Sequence, residues 1–291
     1  MATAKQWVSG ARPRTLPAAV APVLVGAGAG FAIGHFSWWK TLLALLVSLA
    51  LQVGVNYAND YSDGCRGTDS VRVGPMRLVG SGAAVPNRVR NAAFQSFGIS
   101  GAAGLVLAAT TTWWLLPFGV AAVAAAWFYT GGPKPYGYAG FGEVFVFMFF
   151  GLLAVLGTMY VNSARITVTA VAAAIGIGLL ACALLMINNL RDVATDAVSG
   201  KRTLAVLLCD RLARSVLLVT IGGAFLAVVV IGIRHPWCLL ALMSLPLATA
   251  PIRQVHRGSK GPELIRALGA IGRLEFVYAA LITVGLALGW L

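Results

Sequence analysis

Asn56, Asn59, Asp60 and Asp63 stand at i, i+3, i+4 and i+7. At helical period this spacing puts two amides and two carboxylates on one face. They close the apolar run Thr41 to Val55, which with its flank is long enough to cross a bilayer. A charge at the bilayer centre costs roughly 2.5–3.5 kcal/mol on insertion scales and less near the interface, so clustered acids there mark an ion or substrate site. The pattern recurs: Asn188, Asn189, Asp192 and Asp196 close a second apolar run, and Asn56/Asp60 and Asn188/Asp192 are both N-x-x-x-D pairs, 132 residues apart. A single Asp at such a position is ordinarily just interfacial. Four at helical spacing, duplicated with matching Asn, predict two half-sites facing a shared ligand.

Carboxylate and amide oxygens are hard ligands, suited to Mg²⁺ or Ca²⁺. Mg²⁺ is typically held by one or two carboxylates while substrate phosphates complete its shell. Arg66, Arg72, Arg77, Arg191, Lys201 and Arg202 lie near the acids in sequence. Acids for a metal with cations beside them are what a diphosphate requires. At a membrane interface, that diphosphate belongs to a lipid. Tyr57, Tyr61, Tyr129, Tyr136 and Tyr138 are candidate pocket residues, although interfacial tyrosines are common without function.

The elements that must position these residues are membrane spans. Of 291 residues 59% are hydrophobic and 11% charged, with a mean hydropathy of +0.83; a soluble domain carries about 25% charged residues. The formal net charge of +13 is first explained by cytoplasmic loops and anionic headgroups. No basic helix stands apart from the spans, so nucleic-acid binding is not expected. Apolar runs predict an all-α, nine-helix bundle with spans near 15–34, 40–58, 91–112, 113–130, 143–161, 166–190, 212–233, 236–253 and 271–291. With the N-terminus inside, inner segments hold 19 of 22 Lys and Arg and all nine acids. The positive-inside rule therefore places the N-terminus and the acidic ends on the cytoplasmic side of the cell membrane. Inner loops at 60–90 and 191–211 are read as a cap over that side. The repeated motif divides a single 1–291 domain into pseudo-repeats of about 1–130 and 131–253 plus a last helix, 271–291.

The blocks Asn59-Asp60-Tyr61-Ser62-Asp63 and Asp192 through Thr203 resemble the paired aspartate motifs of UbiA-type membrane prenyltransferases. With Ala11 through Ala18, Asn56 through Asp69, Tyr129 through Glu143 and Asn188 through Val206, the chain is similar to the 1,4-dihydroxy-2-naphthoate polyprenyltransferase branch. The resemblance implies a nine-helix bundle open sideways to lipid, with Mg²⁺ as cofactor and polyprenyl diphosphate bridged between the motifs. It implies Asp60, Asp63, Asp192 and Asp196 as metal-site acids supported by Asn56 and Asn188. Asn59 and Tyr129 join the substrate-binding set, and Arg72, Arg77, Lys201 and Arg202 are the implied diphosphate partners. Lys134 and Tyr136 are expected at the carboxylate and hydroxyl of the aromatic acceptor. Asp69 follows Asp63 by six residues where the family pattern has four. The implied reaction joins the prenyl group to 1,4-dihydroxy-2-naphthoate with loss of CO₂. Another acceptor, such as 4-hydroxybenzoate, is the alternative within the family, and cation-coupled transport is the alternative outside it.

Overall fold

In hydrocarbon a backbone must satisfy its own polar groups, so apolar runs of span length become helices. The computed structural model describes residues 2–68 and 76–290, so Asp69, Arg72 and the Gly74-Pro75 step lie outside the described residues. All regular elements among the described residues are helical. The first half holds α1 (Ala4–Gly10), α2 (Pro17–Phe31), α3 (Trp38–Cys65), α4 (Pro86–Thr110) and α5 (Leu115–Phe128). Next come α6 (Gly142–Val146) and α7 (Ala154–Ser163), joined through a π-helical stretch at Phe147–Leu153, and then α8 (Val168–Val198). The short α9 (Leu204–Leu207), α10 (Asp210–Gly232), α11 (Leu245–His256) and α12 (Leu264–Leu288) complete the chain.

Among the described residues, seven helical units are long and apolar enough to span a membrane. The pair Ala4–Thr15 and Pro17–Phe31, bent by 50°, and the shorter α5 agree with the remaining two of the nine expected segments. The chain is an integral membrane protein.

The element ends differ from the sequence reading in one respect that matters for the site. Both motif helices continue past their acids, α3 to Cys65 and α8 to Val198, so each loop is shorter than expected. Asn, Asp and Tyr end the hydropathy signal without ending the helix, because their side chains find partners. The freed carbonyls are also capped locally. Thr68 Oγ1 donates to the Asp63 carbonyl, and Ser199 Oγ to that of Asp196. The last helix likewise starts at Leu264 and not near 271, since Arg266 and Arg273 interrupt hydropathy only.

Each motif helix packs most extensively on the next long helix, α3 on α4 and α8 on α10. Ala and Gly in α2 allow close approach to α7 and α12: an added Cβ at Gly26 would meet Val155 and Thr158, and one at Gly28 would meet Thr283. The main core lies around α8, α10 and α12, built on Ile177, Leu180, Leu217, Ile271 and Tyr278. A second cluster of Tyr57, Leu78, Val89 and Phe97 seats the loop after α3 against that helix.

Candidate active site

The first motif faces three different segments. Asn56 Nδ2 donates to the Ala11 carbonyl at 2.8 Å and to Thr15 Oγ1 at 3.2 Å, fastening α3 to the stretch between α1 and α2. Asn59 Oδ1 accepts from Thr130 Oγ1 at 2.8 Å, just after α5. Asp60 accepts from two consecutive backbone N–H groups, Leu78 at 2.8 Å and Val79 at 2.9 Å. That carboxylate holds the loop after α3 in place. Asp63 accepts from the Tyr138 hydroxyl at 2.8 Å and lies 3.6 Å from Arg77 Nη2.

The second motif is built more locally. Arg191 Nε and Nη2 donate to the two oxygens of Asp192 at 2.7 and 2.6 Å, a buried bidentate pair. Asp196 Oδ1 lies 3.9 Å from Lys201 Nζ, and the Lys201 N–H donates to the Asp196 carbonyl at 2.9 Å. Asn189 Nδ2 donates to Glu143 Oε1 at 2.9 Å, tying α8 to the start of α6.

The loop from Tyr129 to Phe141 joins the halves. Its Tyr138 ring has Arg66 at 5.1 Å and Lys201 at 5.2 Å, while the Tyr138 carbonyl accepts from the Arg202 N–H. Arg66 also donates to the carbonyls of Thr130 and Gly132. Positive φ at Gly132 and Gly140, +75° and +83°, gives this loop its turns. Burial raises the Tyr138 hydroxyl above its ordinary value, and the Asp63 charge adds to this. Burial also raises Tyr129, with Glu143 second, and Tyr136.

A cavity of about 1220 Å³ runs from this region between α2, α3, α4, α5 and α7. Its wall is mostly apolar, including Leu51, Leu107, Phe118, Phe149 and Leu153. Polar residues that line it include Arg12, Arg14, Asn56, Asn59, Arg77, Asn188 and Arg191. One enclosure therefore joins cations and amides to a long apolar volume, a shape suited to an amphiphile with an anionic head.

A model of the UbiA prenyltransferase family matches residues 19–277. The chain belongs to the UbiA prenyltransferase family. It is 50% identical over 291 residues to the 1,4-dihydroxy-2-naphthoate octaprenyltransferase of Mycobacterium tuberculosis, covering all of both chains. The Escherichia coli protein of the same description is 34% identical over 261 residues, 86% of this chain and 85% of that one. A solved UbiA homologue from Archaeoglobus fulgidus bound to DMAPP and Mg²⁺ has the same fold, with a TM-score of 0.66 and 17% identity, covering 96% of this chain and 99% of that one.

Within this family member, several expected site residues meet the cavity and others stand apart. Asn56, Asn59, Arg77, Tyr129, Tyr136 and Asn188 line it. Tyr136 donates to the Ala125 carbonyl at 2.8 Å and stacks on Phe145 with centroids 3.9 Å apart. The four Asp carboxylates are buried against the donors named above and do not line the cavity. Lys134 and Arg202 are exposed and away from its wall, because the Pro133 and Gly200 turns carry them outward.

Arg12 and Arg14 were not singled out by spacing. Arg12 adopts the left-handed region, φ 53°, between α1 and the 3₁₀ turn Pro13–Thr15. Its Nη2 is buried with no hydrogen-bond partner among the described residues. A buried guanidinium nitrogen beside a cavity is an anion donor in waiting. The available signal was Arg-Pro-Arg immediately before an apolar helix.

Proposed function

We propose that this protein transfers a polyprenyl group from polyprenyl diphosphate to 1,4-dihydroxy-2-naphthoate, releasing diphosphate and CO₂ and giving a demethylmenaquinone in its reduced, quinol form. The observation that carries this reading is the full-length 50% identity to a 1,4-dihydroxy-2-naphthoate octaprenyltransferase. The cavity supports it independently, since a prenyl diphosphate is an anionic head on a long apolar tail.

The donor set fits Mg²⁺. It offers oxygen ligands only, from Asp60, Asp63, Asp192 and Asp196 with Asn56 and Asn188. Mg²⁺ is typically held by one or two carboxylates, with substrate phosphate oxygens completing its shell. When bound, Mg²⁺ supplies charge stabilisation at the leaving diphosphate.

The chain's own residues do the rest. Arg77 and Arg191, both buried and both on the cavity wall, draw the diphosphate oxygens and stabilise the charge they gain. The allylic C–O bond breaks with both electrons passing to diphosphate, and the apolar wall keeps water from the developing cation. The ring carbon bearing the carboxylate attacks the allylic carbon. The C–C bond to the carboxylate then breaks, CO₂ leaves, and its electron pair restores the aromatic ring. Arg12 and Arg14 take the acceptor carboxylate, a role the exposed Lys134 is poorly placed to fill. Tyr129 and Tyr136 form the aromatic wall beside the ring. In the bilayer the motif end faces the cytoplasm, supported by the distribution of Lys and Arg.

Purified protein given 1,4-dihydroxy-2-naphthoate and a polyprenyl diphosphate is expected to form a prenylated, decarboxylated ring detectable by mass. Prenylation of 4-hydroxybenzoate alone would overturn the acceptor assignment.

A further inference from the structure

Most interior glycines of the long helices are explained by packing. At Gly26, Gly54 or Gly151 an added Cβ would collide with a neighbouring helix. Gly101 on α4, Gly119 on α5 and Gly157 on α7 differ: an added Cβ at each would meet nothing within 4 Å, and all three line the cavity. Gly104, one turn beyond Gly101, also lines it and has only Val47 at 4.0 Å. Glycine in a helix interior costs roughly 0.5–1 kcal/mol relative to alanine. Gly98, Gly222 and Gly269 are likewise without a close neighbour among the described residues but lie off this cavity, whereas Gly101, Gly119 and Gly157, on three different helices, carry the cost along one shared space.

Their depth is consistent. At about 1.5 Å rise per residue, Gly119 lies roughly 15 Å from Tyr129 along α5, and Gly157 roughly 21 Å from Glu143 along α6–α7. An isoprene unit adds four C–C bonds of about 1.5 Å, hence roughly 4–5 Å when extended. A two-unit tail held at the polar end stops short of these glycines. A tail of about four units passes Gly119, and one of more than about five units passes Gly157 as well.

We propose that Gly101, Gly119 and Gly157 determine the prenyl length this protein accepts, by keeping open the part of the cavity that later isoprene units must cross. The proposal rests on the transferase reading above and adds its donor-length determinant. Leucine at any of these positions places a branched side chain in the tail's path and leaves the polar end untouched.

The test is a competition between geranyl and octaprenyl diphosphate for 1,4-dihydroxy-2-naphthoate, read as the ratio of the two products by mass. Because the same molecules form both products, the ratio does not depend on the folded fraction. Gly157→Leu and Gly119→Leu are each expected to lower the octaprenyl-to-geranyl ratio at least about tenfold, the scale of a steric mismatch in an apolar pocket. Gly98→Leu is the control: its Cβ also meets nothing within 4 Å, but it lies off the cavity wall, and its ratio is expected to stay within about twofold. If Gly157→Leu does not fold, Gly157→Ala carries the test at that position, with a smaller fall in the same direction. An unchanged ratio in the lining variants, or an equal fall in the control, overturns the proposal while transfer itself stands. A wild-type protein inert with both donors overturns the transferase reading, and this proposal falls with it.

Discussion

The Tyr138 hydroxyl donates to Asp63 Oδ1 at 2.8 Å, while Lys201, which pairs with Asp196, stands 5.2 Å from the same ring. One loop tyrosine thus links the acids of both motifs, contacting a carboxylate of the first and the cation partner of the second. Tyr138→Phe keeps the ring and removes the donor. Hydrogen bonds to charged groups are worth about 1.5–3 kcal/mol, so kcat/KM is expected to fall about 10- to 100-fold with the thermal midpoint little changed. Wild-type turnover in the phenylalanine variant would show that the bond is incidental.

The same tyrosine fixes a pH expectation. Its folded-state pKa is raised above the phenol's ordinary value of about 10 by burial and the Asp63 charge. A raised pKa favours the protonated, donating form in the folded protein. Its contribution to stability is therefore complete below about pH 10 and is lost progressively as pH rises from there through the folded value. Tyr138 should impose no loss between pH 7 and 9, whereas above pH 10 the wild type should lose stability that Tyr138→Phe lacks from the start. Parallel pH–stability curves for the two proteins above pH 10 would contradict this.

Asp60 has a positioning role as well as its proposed metal role, because both its oxygens accept from backbone N–H groups of the following loop. Asp60→Ala should abolish transfer and also free that loop. Hydrogen exchange at the Leu78 and Val79 amides is expected to accelerate at least about tenfold, while the centres of α8 and α12 remain protected. Unchanged exchange at those two amides would refute the positioning role.

Arg191 and Asp192 form a buried pair, and removing one partner of such a pair typically costs about 3–5 kcal/mol. Arg191→Leu should lower both the thermal midpoint and transfer. Combining it with Asp192→Leu should restore much of the stability but none of the transfer. Recovery of transfer in the double variant would place the pair outside the chemistry.

The sequence made the helix bundle and the two acidic ends readable, because apolar runs and i, i+3, i+4 spacing report directly on spans and faces. It did not reveal where α3 and α8 stop, since Tyr61 and Thr195 lower hydropathy without breaking a helix. Nor did it reveal which cations reach the cavity. Lys134 sits in a motif-like turn yet points outward, while Arg12 reaches the wall through a left-handed backbone step that has no periodic signature. Tertiary contacts, such as Asn56 with the Ala11 carbonyl and Tyr138 with Asp63, bear on these points, and hydropathy carries no information about them.

That difference between cations is testable. Lys134→Ala is expected to keep turnover within about twofold, as for an exposed substitution away from the site. Arg12→Ala should raise KM for the aromatic acceptor at least about tenfold, as loss of a charge-assisted contact, and leave KM for the prenyl donor nearly unchanged. The opposite ranking would return the acceptor carboxylate to Lys134.

The most direct test of the central claim is the product formed by purified protein in detergent from 1,4-dihydroxy-2-naphthoate and polyprenyl diphosphate, measured by mass with Mg²⁺ and with EDTA. The expected result is a prenylated, decarboxylated ring with Mg²⁺ and none with EDTA. Equal product with EDTA would contradict the metal assignment, and folded protein that prenylates 4-hydroxybenzoate but leaves the naphthoate untouched would contradict the proposed function.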